Sequence, residues 1–166
     1  MRIAYITFER PGPESGVGNK LNLQTSCWRA EGHEVVNFVL NTPSERSLRD
    51  GVEYIYLNDS RKPLVNAALY SGDLSRRLQI FNPDLVYSRQ LIWFPGLVKA
   101  LRGFKLVQEI NSDIEIELGL LSGVSGSLKR SLYSIGKEFV EPLVSGLVFV
   151  THELAGRLLL DIKERV

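Results

Sequence analysis

The chain has 166 residues, which suits a single domain that buries roughly 70% of the surface its unfolded form would expose. Its 20 Lys and Arg residues nearly balance its 19 Asp and Glu residues, so no net charge steers it toward nucleic acid, and we expect no nucleic-acid partner. A single cysteine excludes an internal disulfide, and no apolar stretch is long enough for a signal peptide or a membrane span, so we predict a cytoplasmic protein.

Six short apolar segments alternate with helical segments along the chain. The predicted strands, in chain order, are Ile3–Phe8, Glu34–Leu40, Glu53–Leu57, Leu85–Ser88, Lys105–Ile110 and Leu147–Val150. The predicted helices cover residues 17–31, 63–81, 92–101 and 127–144, and a last one begins at residue 152. The glycines between residues 111 and 126 indicate a mobile loop or a broken helix in that stretch.

The strand segments are nearly continuous in Val, Ile, Leu, Phe and Tyr and do not alternate with polar residues. Parallel strands that are covered on both faces require this composition. We therefore predict an α/β fold with a Rossmann-like, doubly wound and mainly parallel sheet of about six strands in the order 3-2-1-4-5-6. This order places a ligand crevice beyond the carboxyl ends of the first and fourth strands.

The turn Gly16-Val17-Gly18 follows the first strand and opens the first helix. Two small residues here would leave backbone N–H groups exposed, and the positive end of the helix dipole adds to them, so we predict a phosphate or carboxylate site. The alternative is a simple helix entry with no ligand. Further residues line or follow the same loop and are either ligand contacts or solvated surface: Arg10, Ser15, Asn19 and Lys20.

Two common nucleotide motifs do not fit this turn. A Walker loop needs Ser or Thr after its lysine, but Lys20 is followed by Leu21. A dinucleotide fingerprint beginning at Gly16 needs Gly or Ala at position 21, and Asn41 stands where the acidic residue that binds ribose would lie. We therefore expect neither NAD nor FAD.

Several motifs follow one another along the chain, namely Gly16-Val17-Gly18, Gly32-His33-Glu34-Val35, Asn82-Pro83-Asp84-Leu85-Val86-Tyr87-Ser88-Arg89, Val107-Gln108-Glu109-Ile110-Asn111 and Val148-Phe149-Val150-Thr151-His152-Glu153-Leu154. Their order and spacing resemble the N-terminal domain of retaining glycosyltransferases of the GT-B fold, glycosyltransferase family 4. The resemblance implies two facing Rossmann-like domains, with the acceptor held mainly by the first and a UDP- or GDP-sugar co-substrate held mainly by the second. No other cofactor is implied.

Under this resemblance, residues 1–166 are the acceptor-side domain of a hexosyltransferase that acts with retention on a glycan, lipid-linked or small-molecule acceptor. The C-terminal donor domain is then the missing partner, and the chain alone is inactive. The Gly16–Gly18 turn would lie near the donor phosphates. Asn111 stands where many family members carry a histidine that contacts the donor sugar, and an amide there can form hydrogen bonds but cannot act as an acid or a base.

Arg89 and Glu109 lie on neighbouring predicted strands, and we expect them to pair, either as a structural bridge or as a clamp that faces the ligand. No residue is assigned a catalytic role in this domain. No metal site is expected, because the two histidines lie on distant elements.

Two further alternatives stay open. The first concerns a segment that contains Leu118, Leu120, Leu121 and Val124, followed by Lys129 and Arg130. This segment either makes a weak peripheral contact with an anionic membrane, or forms a lid over the crevice or an interface with the second domain. The alternative function is a stand-alone Rossmann-type binding or scaffold module without catalysis.

Overall fold

The computed structural model describes residues 1–13, 15–41, 51–55, 65, 68–89, 93–112, 114–120 and 123–156. Within these residues, six parallel strands form one sheet in the order β3-β2-β1-β4-β5-β6. The strands are β1 Arg2–Thr7, β2 Glu34–Val39, β3 Val52–Tyr54, β4 Leu85–Arg89, β5 Leu106–Ile110 and β6 Val144–Phe149. The predicted α/β class and strand order are confirmed.

The helices lie between the strands, as predicted. They are α1 Gly16–Ala30, α2 Ser71–Phe81, α3 Leu97–Leu101, α4 Ile114–Gly119 and α5 Gly123–Val140, followed by a 3-10 helix at Glu141–Leu143. Within the stretch 111–126, residues 114–119 and 123–126 are helical, which agrees with a broken helix, one of the two interpretations of its glycines; residues 113, 121 and 122 are not described. Residues 152–156 are helical as well, and the prediction beyond 156 lies outside the described residues.

Several predicted boundaries were wrong, and proline explains two of them. The helix predicted at 92–101 begins only at Leu97, because Pro95 disfavours a helical residue before it and Gly96 has a left-handed φ of 89°. The helix predicted to reach residue 144 ends at Val140, ahead of Pro142 in the 3-10 helix. As a result β6 begins at Val144, three residues earlier than predicted, and pairs there with Leu106.

Two other predictions fall partly outside the described residues. The third strand was predicted at Glu53–Leu57 and is observed at Val52–Tyr54, while residues 56–60 are not described. Of the helix predicted at 63–81, residues 65, 68 and 69 are helical, Tyr70 is a turn, and α2 follows from Ser71 to Phe81; residues 63, 64, 66 and 67 are not described.

Apolar side chains cover the sheet on both faces. The cluster against α1 contains Ile3, Tyr5, Leu21, Val35 and Tyr87, with Trp28 and Val107 packed on it. The larger cluster on the opposite face includes Ala4, Ile6, Phe38, Val86 and Leu106 together with Leu74 and Leu78 of α2. Side chains alternate between the two faces along a strand. Arg89 and Glu109 lie two positions beyond Tyr87 and Val107, so their side chains are on the α1 face as well.

The strand order reverses between β1 and β4, since β1 leads to β2 on one side and β4 leads to β5 on the other. Helix α1 follows β1 directly, so its first turn lies at the carboxyl edge of the sheet beside this reversal. Open α/β sheets bind ligands in the crevice outside the carboxyl ends of the strands at such a point. A ligand site is therefore expected at the start of α1 and the ends of β4 and β5.

Candidate functional site

Helix α1 begins with a capped turn. Ser15 has extended backbone angles, and its Oγ accepts a hydrogen bond of 2.9 Å from the backbone N–H of Gly18. The backbone N–H of Asn19 donates to the carbonyl oxygen of Ser15 at 2.9 Å. The expectation that both glycines expose free N–H groups is therefore wrong for Gly18, because the Ser15 hydroxyl already takes that donor.

Gly18 is required by close packing. A Cβ atom at this position would lie 2.5 Å from the carbonyl oxygen of Arg10 and 2.8 Å from that of Gly12. The backbone N–H of Gly12 also donates to the carbonyl oxygen of Gly18 at 3.3 Å. Residues 10–12 thus close directly onto the first turn of α1, and no side chain fits between them.

Gly16 has a different environment. A Cβ atom built there meets nothing within 4 Å in the described structure, and the residue is exposed, while Val17 is half-buried. The anion site predicted for the turn is thereby reduced to the first two residues of α1, Gly16 and Val17. Their N–H groups belong to the first turn, where an α-helix has no partner of its own for them.

Charged and polar side chains meet where β4 and β5 end. Lys20 of α1 donates from Nζ to Oε1 of Glu109 at 2.8 Å and to Oδ1 of Asn111 at 3.4 Å. The Tyr87 hydroxyl donates to the other carboxylate oxygen of Glu109, Oε2, at 2.7 Å. Nε of Arg89 lies 4.0 Å from Oε1. We call the residues Lys20, Tyr87, Arg89, Glu109 and Asn111 the carboxyl-edge cluster.

The side chain of Glu109 is only 2% exposed, yet it is ionised. Burial alone would raise its pKa, but the hydrogen bonds from Lys20 and Tyr87 outweigh burial and hold the pKa below the ordinary value. Burial, followed by the hydrogen bond to Glu109, raises the pKa of Tyr87. At neutral pH the cluster therefore contains a carboxylate, a neutral phenol and two cations.

The hydrogen bonds extend from the cluster into α1. Oε1 of Gln24 on α1 accepts a hydrogen bond of 3.4 Å from the hydroxyl of Tyr5 on β1, and the side chain of Gln24 partly opposes the rise in the pKa of Tyr87. Burial, followed by the charge of Glu109, raises the pKa of Tyr5. The network links α1 to β1, β4 and β5 and fixes the direction of Lys20.

Replacing Tyr87 by Phe is expected to lower the free energy of unfolding by about 1.5 kcal/mol, because Glu109 loses a hydrogen bond to a charged acceptor. Tyr5→Phe is the matched control, since Tyr5 is equally buried but donates a longer bond to a neutral amide. It is expected to cost about 0.5 kcal/mol. Urea unfolding of both variants at pH 7 measures the difference, and equal losses would show that Tyr87 does not support the carboxylate.

The structure places the other predicted residues as follows. Arg89 and Glu109 stand opposite each other in the β4–β5 register, but the closer cation is Lys20. Ser15 serves as the N-cap of α1, Asn19 is exposed, and Arg10 contributes its backbone carbonyl to the packing on Gly18. Sequence reasoning missed Tyr87, although its position two residues before Arg89 puts it on the same face of the sheet.

The segment considered for membrane contact is not uniformly exposed. Leu118 is buried, whereas Leu120 is exposed, and the carbonyl oxygen of Leu118 accepts a hydrogen bond from Arg130 at 3.1 Å. Leu118 therefore cannot contact a lipid surface; the side chains of Leu121 and Val124 lie outside the described residues. Of the helices described, none is both long and apolar enough to cross a bilayer. The described residues contain no group of three or more His, Cys, Asp or Glu side chains that could hold a metal ion.

Comparison with solved structures shows distant likenesses. No family model and no curated protein matches the chain. Among solved structures, the chain is similar to the UDP-glucose 4-epimerase of Thermus thermophilus in complex with NAD, with 12% sequence identity and a TM-score of 0.42. The match covers 88% of this chain and 53% of that chain, so the chain spans about half the length of the epimerase. The fold is Rossmann-like.

Proposed function

We propose that this chain is the acceptor-side half of a glycosyltransferase that transfers a hexosyl group from a UDP- or GDP-sugar to an acceptor with retention. The observation that supports it most is the position of the carboxyl-edge cluster. It lies beside the exposed start of α1, at the strand reversal where open α/β sheets bind ligands. Cations at this edge and the N–H groups of the first turn of α1 suit a phosphorylated substrate.

In this proposal, the N–H groups of Gly16 and Val17 face the diphosphate of the donor. Negative charge on the departing diphosphate grows in the transition state, and fixed N–H donors stabilise it more than they stabilise the bound substrate. The nucleotide and the sugar need further contacts, which we assign to a second lobe formed by additional polypeptide. The chain alone is then expected to bind the donor weakly and to turn nothing over.

A nicotinamide cofactor fits this site poorly. Asn41 stands just beyond β2, where a dinucleotide-binding fold uses a carboxylate for the ribose, and its amide donates instead to the carbonyl oxygen of Phe8 at 3.2 Å. The carbonyl oxygens of Arg10 and Gly12 close on Gly18, where the backbone would have to approach a pyrophosphate. Acceptor oxygens at that point repel phosphate.

Transfer can be tested on the product of the complete gene that encodes this chain. The protein is incubated with UDP-glucose, UDP-galactose or GDP-mannose and an acceptor mixture, and release of UDP or GDP is followed by chromatography. We expect release that depends on the acceptor, and none from the 166-residue chain alone. Saturable NAD binding by calorimetry, or micromolar binding of a nucleotide sugar to the 166-residue chain without turnover by the complete product, would contradict the proposal. The latter result would favour a stand-alone binding module.

A further inference from the structure

Two cations approach the same oxygen in the carboxyl-edge cluster. Lys20 Nζ lies 2.8 Å from Glu109 Oε1, and Arg89 Nε lies 4.0 Å from it. Only the first distance is a hydrogen bond. Within the described residues, the guanidinium of Arg89 donates no hydrogen bond, so its planar set of N–H donors is available to a ligand.

The cluster carries an excess of positive charge at a partly exposed place. Glu109 contributes one negative charge, while Lys20 and Arg89 contribute two positive charges. The side chain of Lys20 is 46% exposed and that of Arg89 is 23% exposed, so solvent and small ligands reach both, although water screens Arg89 less. An anion that displaced this water would gain charge-assisted hydrogen bonds.

A structural bridge alone does not account for this arrangement. Lys20 by itself satisfies Oε1 of Glu109, and Tyr87 satisfies Oε2. A second cation beside Lys20 adds repulsion and desolvation cost, and a buried ion pair is in general no more stabilising than apolar side chains of similar volume. Arginine suits this position best if a carboxylate or phosphate group binds it in a bidentate manner.

We infer that the acceptor carries an anionic group, a carboxylate or a phosphate, which binds between Lys20 and Arg89; this inference rests on the proposed transferase function. Glu109 acts as a positioning residue, because it holds Lys20 in place through a hydrogen bond and draws Arg89 toward it. Lys20 lies about one helical turn beyond Gly16 on α1, so the acceptor anion and the donor diphosphate occupy adjacent, separate places.

The inference can be tested by calorimetry and NMR titration of the 166-residue chain at constant ionic strength. The probes are methyl glucuronide, its neutral twin methyl glucoside, and geranyl phosphate, with UDP titrated in parallel. Arg89→Gln is expected to weaken binding of the anionic probe about tenfold or more, because it loses a charge-assisted contact. Arg89→Lys keeps the positive charge but loses the planar guanidinium that binds an anion in a bidentate manner. Its loss of affinity for the anionic probe is expected to be smaller than that of Arg89→Gln.

Lys105→Gln is the matched control, because it removes an exposed cation that directly precedes β5, at the opposite edge of the sheet. The Lys105→Gln variant is expected to bind every probe with the same affinity as the unaltered chain. Thermal melts of each variant check that the fold is retained. A stronger response to methyl glucuronide assigns an acidic sugar as acceptor, and a stronger response to geranyl phosphate assigns a lipid phosphate.

Equal affinity for methyl glucuronide, methyl glucoside and geranyl phosphate would overturn the inference, and so would an Arg89→Gln variant that binds the anions unchanged. The parallel UDP titration separates this failure from failure of the proposed function. Binding of UDP at Gly16 and Val17 without discrimination among acceptor probes overturns the anionic acceptor only. Selective binding of the anionic probes without any binding of UDP keeps the anion site and contradicts the transferase. Binding of no probe contradicts both.

Discussion

Replacing Lys20 by Met is expected to lower the free energy of unfolding at pH 7 by about 3 kcal/mol, at the lower end of the cost of breaking a buried ion pair. The variant removes the closest cation from a carboxylate that is 2% exposed, and the hydrogen bond from Tyr87 remains. The cost stays at the lower end because Lys20 itself is partly exposed and because Arg89 is near enough to approach the carboxylate.

The pH dependence of this loss has a definite sign. In the unaltered chain the pKa of Glu109 lies below its ordinary value of 4.5, so its contribution is complete above pH 4.5 and is lost as the pH falls through the folded-state pKa. Without Lys20, burial dominates and raises the pKa of Glu109 above that of the unfolded chain. The variant then gains stability relative to the unaltered chain as the pH falls and Glu109 takes up a proton.

Urea unfolding between pH 4 and pH 8 measures both effects. The difference in the free energy of unfolding between the unaltered chain and the Lys20→Met variant should be largest at neutral pH. The control is the double variant Lys20→Met with Glu109→Gln, in which the pH-dependent part of the gap should disappear. A gap that is constant across this range would mean that the loss comes from packing of the lysine side chain and not from the carboxylate.

Replacing Gly18 by Ala is expected to lower the free energy of unfolding by about 3 kcal/mol, the upper end of the cost of overpacking. The added methyl group would lie 2.5 Å and 2.8 Å from the carbonyl oxygens of Arg10 and Gly12, and backbone atoms cannot rotate away. Gly16→Ala adds the same methyl group where nothing lies within 4 Å, so its stability should change by less than about 0.5 kcal/mol.

Chemical denaturation of the two alanine variants gives the comparison directly. The two variants distinguish a glycine that is required by close packing from one that is not. At Gly18 the backbone of residues 10–12 leaves no room for a Cβ atom, whereas nothing lies near that position at Gly16. Equal stability of Gly18→Ala and Gly16→Ala would show that residues 10–12 do not close on α1.

The architecture was predictable because it depends on patterns that neighbouring residues carry. Runs such as Leu85–Tyr87 are apolar without alternation, and this property specifies a buried parallel strand regardless of the details of packing. Boundaries were less predictable where proline acts. The pattern of apolar residues continues through Pro95 and Pro142, but the missing N–H group and the restricted residue before each proline delay the start of α3 to Leu97 and end α5 at Val140.

The site was only partly predictable. Arg89 and Glu109 could be paired because strand register follows from strand position, and Asn111 follows on the same face. The contact of Lys20 with Glu109 could not be foreseen, since the reach of a long side chain depends on how α1 docks on the sheet. Likewise, the sequence does not show whether a glycine leaves room for a ligand or for a carbonyl group of the chain itself. Gly16 has open space beside it, whereas Gly18 packs against the carbonyl oxygens of Arg10 and Gly12.

The exposed start of α1 can be tested as an anion receptor by titrating the isotope-labelled 166-residue chain with millimolar UDP. We expect the backbone amide resonances of Gly16 and Val17 to shift in a saturable manner, with a smaller shift at Lys20, and we expect Gly16→Ala to weaken this response while the fold stays intact. Shifts confined to surfaces remote from this helical turn, or no shifts in a folded sample, would contradict it.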